Sequence, residues 1–169
     1  MLCNAAAKRI LENAHDVAIP ALPQELRDLL DSRFVEVYDC IVLESMLPEY
    51  LKPACSAKFV DIPPEIRANS IDQTGFECFV SKLHVDGGVT SRHFEYALEF
   101  LRQVFGLFKR QYSSQTLRGV ISVDEGDQRD FLFSCTLRYH VLRPGQSWVV
   151  PDEIEQFAEA VAIVDSCDT

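Results

Sequence analysis

Apolar side chains recur at intervals of three and four through residues 90–112. Phe94, Ala97, Leu98, Leu101, Phe105, Phe108 and Tyr112 fall on one side of a helix. Tyr96, Phe100, Val104 and Leu107 widen that side, and Arg92, Glu95, Glu99, Arg102 and Lys109 leave one narrow polar stripe. The spacing predicts a long helix from Thr90 to Tyr112, capped by the hydroxyl of Thr90 or Ser91. A helix with so little polar surface is covered on most sides, by a sheet on one face and another helix at its flank.

The period changes to two at Phe131. Phe131, Phe133, Cys135, Leu137, Tyr139 and Val141 alternate with Leu132, Ser134, Thr136, Arg138, His140 and Leu142, which predicts a half-buried antiparallel strand. Its odd-numbered side is expected on the Phe94 face of the helix. Gly119 to Val123 reads as the partner strand and Asp124 to Asp130 as the connecting loop. Phe76 to Val85 reads as a third strand, stopped by Asp86-Gly87-Gly88, and Trp148 to Val150 as a brief fourth. Asp152 with Glu155 forms a capping-box pattern, and Ile154, Phe157, Ala158 and Val161 predict a last helix.

Residues 1–70 are less regular. Ala5 to Ala14 predicts a short helix, and Leu22-Pro23 opens a second with Leu26, Leu29 and Leu30 inward. Phe34 to Glu44 fits a helical stripe (Phe34, Val37, Tyr38, Ile41) or a strand face (Val35, Val37, Ile41, Leu43). Asp39 would interrupt the strand face, which favours the helix. Pro48, Pro53, Pro63 and Pro64 bracket breaks, and the region through Asn69 is expected to carry a binding surface. The predicted class is α+β: a small antiparallel sheet with the long central helix and the C-terminal helix packed on one face, and a helical N-terminal region at one end. The 169 residues fit one domain, with 1–70 as its helical or irregular part and 76–164 as its core.

Charge narrows the function classes. Sixteen Lys and Arg against 26 Asp and Glu give a net charge of −10, which argues against direct binding of nucleic acid or an anionic membrane. The same field favours a basic protein partner. No apolar run approaches the roughly 18 residues of a membrane span. Met1-Leu2-Cys3-Asn4-Ala5 lacks the basic and apolar segments of a secretion signal, so a cytoplasmic location is expected. The six cysteines form no C-x-x-C pair and have no His at metal-ligand spacing; reduced, mostly buried thiols are expected, with no metal and no cofactor.

Two sets of residues are candidates for function. Between Asp152 and Thr169 no Lys or Arg balances the acids. The helix dipole accounts for those in the first turn of the predicted helix but not for Glu159, Asp165 and Asp168. With Glu153, and with Asp124, Glu125 and Asp127 of the hairpin loop, they form a candidate partner-binding set. That loop lacks the twelve-residue spacing and closing Glu of a calcium site. The second set is Lys82, His84, Ser134, Arg138 and His140, with Thr136, on the polar sides of two strands. Nucleophilic catalysis needs a hydroxyl in reach of an oriented base, and no G-x-S-x-G elbow accompanies these residues. Asp86-Gly87-Gly88 precedes a helix without either the P-loop or the dinucleotide pattern, and His15 and His93 are isolated.

In general character, though not in any motif, the chain resembles bacterial immunity proteins: small, acidic, single-domain, cytosolic and free of catalytic signatures. The resemblance implies a non-catalytic, immunity or antitoxin-type inhibitor that covers a cationic, nuclease-like bacterial toxin. The alternatives are a small enzyme or ligand-binding domain built around His84 and His140, and a homodimer or larger homo-oligomer joined through the open sheet face.

Overall fold

The computed structural model describes residues 1–13, 21–68, 70, 72–85, 92–124 and 134–168. Its main sheet has five antiparallel strands in the order β1 (Leu2–Cys3), β7 (Ala160–Asp165), β5 (Leu117–Asp124), β6 (Ser134–Val141) and β4 (Leu83–His84). A separate hairpin pairs β2 (Phe34–Val37) with β3 (Cys40–Leu43). The helices are α1 (Ala5–Asn13), α2 (Gln24–Leu30), α3 (Pro64–Arg67), α4 (Gln73–Val80) and α5 (His93–Gln111). The α+β class, the small antiparallel sheet and the long central helix agree with the sequence pattern. Among the described residues no helix is long and apolar enough to cross a membrane.

Helix α5 lays Phe94, Ala97, Leu101, Val104, Phe105 and Phe108 on β5 and β6, in one core with Leu137, Tyr139 and Val141. The odd-numbered side of β6 faces the helix, as its alternation requires, but the strand is not half-buried: Thr136 and His140 on the even-numbered side are buried as well, because Val149 and Ile154 pack over that face of the sheet. Thr90, Ser91, Phe131 and Phe133 lie outside the described residues. Helix α1 forms where expected. Its cap, Asn4, accepts from the amides of Ala7 at 2.9 Å and Val161 at 3.1 Å and donates to the Glu159 carbonyl at 2.8 Å, which ties the helix to β7.

Four elements differ from the pattern. The C-terminal helix is reduced to a single 3₁₀ stretch, Pro151–Gln156, and the residues after it form β7 inside the sheet. Ala160-Val-Ala-Ile-Val is buried on both faces, so it shows no alternation that would mark it as a strand. Trp148 to Val150 forms no strand. Phe34 to Glu44 is a hairpin and not a helix: Tyr38 and Asp39 have φ of 54° and 56°, the conformation of a two-residue turn between twisted strands. Asp39 sits at the tip, where it interrupts neither strand. Its carboxylate accepts from the Phe59 amide at 3.1 Å and from Lys58 at 2.8 Å, and Gln73 donates to its carbonyl at 2.9 Å.

Phe76 to Val85 is mainly helix. Asp72 caps α4 by accepting from the Gly75 amide at 2.7 Å, and only Leu83 and His84 pair as a strand. Beyond β4, side chains of α4 and the residue after it take the place of a neighbouring strand. The Ser81 hydroxyl accepts from the Tyr139 amide at 2.9 Å and donates to the Tyr139 carbonyl at 2.8 Å. The edge of β6 is thereby satisfied without further pairing.

Candidate functional site

A buried ion pair joins the two parts of the molecule. Glu77 is fully buried in α4 and accepts four hydrogen bonds: from the Ile41 amide of β3 and the Val141 amide of β6, both at 2.7 Å, and from Arg143 at 2.6 and 2.8 Å. Burial pushes its carboxyl above the ordinary range, while Arg143 and the two amides oppose that shift. All four partners are donors, so the ionised form is the one this cage is built to hold. The carboxylate thus fixes α4 to the hairpin and to the sheet together.

The clasp closes a second core. Val37, Tyr38, Val42, Leu51, Ile66 and Phe76 pack between the hairpin, α4 and the proline-bracketed segment. The Tyr38 ring meets Phe76 edge to face at 5.8 Å. On the outer side of this core lies a groove of about 460 Å³, floored by Leu51 and Ile66 and walled by Tyr38, Pro63, Tyr50 and Phe79, with Glu65 on its lining. Tyr50 is 66 % exposed and Phe79 44 %, and Val60 on the neighbouring turn is 73 % exposed. Tyr50 and Phe79 were not singled out from the sequence. In a strand Phe79 would share a face with Glu77 and Ser81; in the helix Phe76, Glu77, Cys78 and Val80 are buried and Phe79 is left on the outer side.

The acidic partner-binding set is dispersed. Asp165 forms a two-pronged ion pair with Arg118, both bonds at 2.7 Å and both side chains mostly covered, so its charge is already engaged. Asp168 binds the terminal amine of Met1 at 3.0 Å, which holds its carboxyl below the usual range. Glu159 precedes β7 and Asp165 ends it, a separation of about 17–20 Å at 3.3 Å per residue. Glu159 and Asp124 do share the lining of one cleft with Arg9. Glu153 is exposed on the 3₁₀ stretch. Glu125 and Asp127 lie outside the described residues, as do Asp86, Gly87, Gly88 and His15.

The second set shares a sheet face but does not converge. The register puts His84 opposite Thr136, and Ser134, Arg138 and His140 project on the same side of β6; Lys82 precedes β4 and is exposed. Four residues separate the Thr136 and His140 positions, about 13 Å along the strand. His84 is exposed, whereas His140 is fully buried, beside Arg118 on β5. Burial holds the His140 ring below the ordinary histidine range; the Val141 carbonyl opposes this, and Arg118 and Arg143 reinforce it. Arg138 stacks under the exposed Trp148 ring at 5.2 Å. Val149 and Ile154 cover the middle of this face against Val120, Val161 and Ile163. All six cysteines are free, with Cys55 and Cys167 exposed.

The model of one protein family, described as the Uncharacterized protein PM0498 family, matches residues 2–169. No curated protein and no solved structure matches the chain.

Proposed function

The chain belongs to this family, and from its own surface chemistry we propose that it is a non-catalytic, acidic protein-binding domain. In its most concrete form it is a cytoplasmic immunity or antitoxin-type inhibitor that docks on a cationic, nuclease-like bacterial toxin. The observation that carries this is the pair of exposed aromatic rings, Tyr50 and Phe79, beside an apolar groove on a chain of net charge −10. Large exposed apolar groups clustered at a groove mark sites that are covered in a complex, and aromatic anchors of this kind dominate binding energy. The negative field speeds encounter with a basic partner, and the buried anchors set how long the complex lasts. The catalytic alternative needs His84 and His140 to meet, and their separation weighs against it.

Calorimetric titration against purified basic nuclease toxins tests the proposal. Binding is expected to weaken as salt is raised, and the double variant Tyr50→Ala/Phe79→Ala is expected to weaken it at least about tenfold with an unchanged melting temperature. Salt-insensitive binding, or none, counts against the proposal.

A further inference from the structure

We propose that the sheet face where β4 meets β6 binds a nucleoside monophosphate, with its phosphate on Arg138 and Lys82 and its base on the ring of Trp148. This site is separate from the groove beside Tyr50 and Phe79 and is independent of the protein-binding function proposed above.

The register sets two cations side by side. Leu83 pairs with Leu137, and the Ser81 hydroxyl bonds both backbone groups of Tyr139, so Lys82 between them lies abreast of Arg138. Positions directly opposite on neighbouring strands hold their Cβ atoms about 4.5–5.5 Å apart, and like charges there repel. His84 follows, opposite Thr136, and both Lys82 and His84 are exposed. Among the described residues the side chains of Lys82, His84 and Arg138 make no ion pair and no hydrogen bond. In a chain with 26 acids and 16 bases, two adjoining cations without a carboxylate between them run against the overall balance.

Arg138 is also partly covered. Burial pushes its guanidinium below the ordinary range; Cys78 and Glu159 oppose this through space, and neither bonds to it. A covered cation without an acceptor is costly, and an anion seated on it offsets that cost. Two cations abreast suit a dianion better than a single carboxylate. A phosphate monoester carries about −1.5 to −2 charge at pH 7, and arginine grips phosphate through two parallel bonds.

Trp148 selects the rest of the ligand. The Arg138 guanidinium lies 5.2 Å from the Trp148 ring centre, and the ring is 43 % exposed. With Arg138 on one face, the exposed part of the ring is open to a planar group, and any base stacks on an aromatic face. A base stacked there has the indole between itself and Arg138. A spacer must then carry the phosphate back to the cations, as ribose does in a nucleotide. The net charge of −10 opposes anions at long range, but it is screened beyond about 8–10 Å, whereas these contacts are direct. A nucleic-acid strand would bring many phosphates into the same negative field, so a single nucleotide is the better ligand.

Trp148 is the one tryptophan of the chain, so the full-length protein reports its own binding by fluorescence. Adenosine monophosphate, adenosine and inorganic phosphate are titrated in parallel. The nucleotide is expected to quench Trp148 saturably and to bind at least about tenfold more tightly than adenosine or phosphate. Raising salt is expected to weaken the nucleotide and leave adenosine unchanged. Lys82→Ala, at an exposed position, is expected to weaken the nucleotide about tenfold with an unchanged melting temperature. Arg138→Lys keeps the charge but loses the two-pronged contact, and is expected to weaken it as well. Trp148→Leu, followed by calorimetry, is expected to bring the nucleotide down to the affinity of phosphate. Absence of saturable quenching, adenosine or phosphate binding as tightly as the nucleotide, or full affinity in Lys82→Ala overturns the proposal.

Discussion

Glu77 has four donors, two of them from its counter-ion Arg143, so removing its charge leaves that largely buried cation without its partner. Glu77→Gln keeps the shape but turns an amide NH₂ toward groups that are themselves donors. Breaking a buried pair from one side costs about 3–5 kcal/mol, several times the worth of an exposed pair. Urea denaturation should show that loss, and a change under about 1 kcal/mol would mean the clasp is not structural. His140 makes a prediction about pH. Its folded pKa is depressed, chiefly by burial, with the Arg118 and Arg143 cations adding to it, while the Val141 carbonyl and Asp165 on β7 oppose them. Above the ordinary histidine value of about 6.5 the ring is neutral both folded and unfolded. Below it the unfolded chain takes up a proton that the folded chain refuses. Stability therefore falls as pH drops from about 6.5 toward the lower folded value, by up to about 1.4 kcal/mol per pH unit. Denaturation midpoints measured across that window should fall in the parent protein and fall less steeply in His140→Leu; parallel slopes would assign the effect to other groups.

The helix and the sheet meet most closely where α5 crosses β5. Gly119 lies on β5 under Leu101, and a Cβ there would come within 2.7 Å of Leu101 Cδ2 and 3.1 Å of its Cγ. Leu101 is itself buried, so it must shift its methyls to make room. Gly119→Ala is therefore expected to cost about 1–3 kcal/mol as overpacking. In a double-mutant cycle the cost should shrink when Leu101 is cut to Ala, because the colliding methyls are gone; strict additivity would place the strain elsewhere. About one turn beyond Leu101 on α5, Phe105 fills the same core, and Phe105→Ala should cost about 3–5 kcal/mol through the cavity it leaves.

For the molecule as a whole, charge and anchor are separable. The net charge acts at long range and is screened over about 8–10 Å at physiological salt, so raising salt should slow association with a basic partner. The aromatic rings act only on contact, so Tyr50→Ala/Phe79→Ala should speed dissociation. Stopped-flow measurements on one partner distinguish these: salt is expected to change the on-rate by about tenfold or more and the double variant to change mainly the off-rate. The opposite assignment would mean that the groove is not the anchor. Self-association through the sheet face would instead appear in light scattering as a mass that rises with concentration.

Local pattern was enough where apolar and polar positions alternate with a clear period, whether the polar side meets solvent, as on α5, or is itself covered, as on β6. The α5 stripe and the alternation along β6 each encode their own burial, and the pairing of helix and strand follows from those faces. Pattern failed where neighbours, not the segment, supply the decisive contact. β7 is covered on both sides and carries no period; α4 is held by an Asp72 cap and by a carboxylate whose partners lie 36 and 64 residues away. The candidate site was lost for the same reason. Tyr50 and Phe79 are 29 positions apart and share a groove because the segment of Leu51 packs with Tyr38, Phe76 and Val80 in the second core. Periodicity reports which side of one segment is dry, whereas a site assembled across segments depends on contacts that form only when the chain closes on itself.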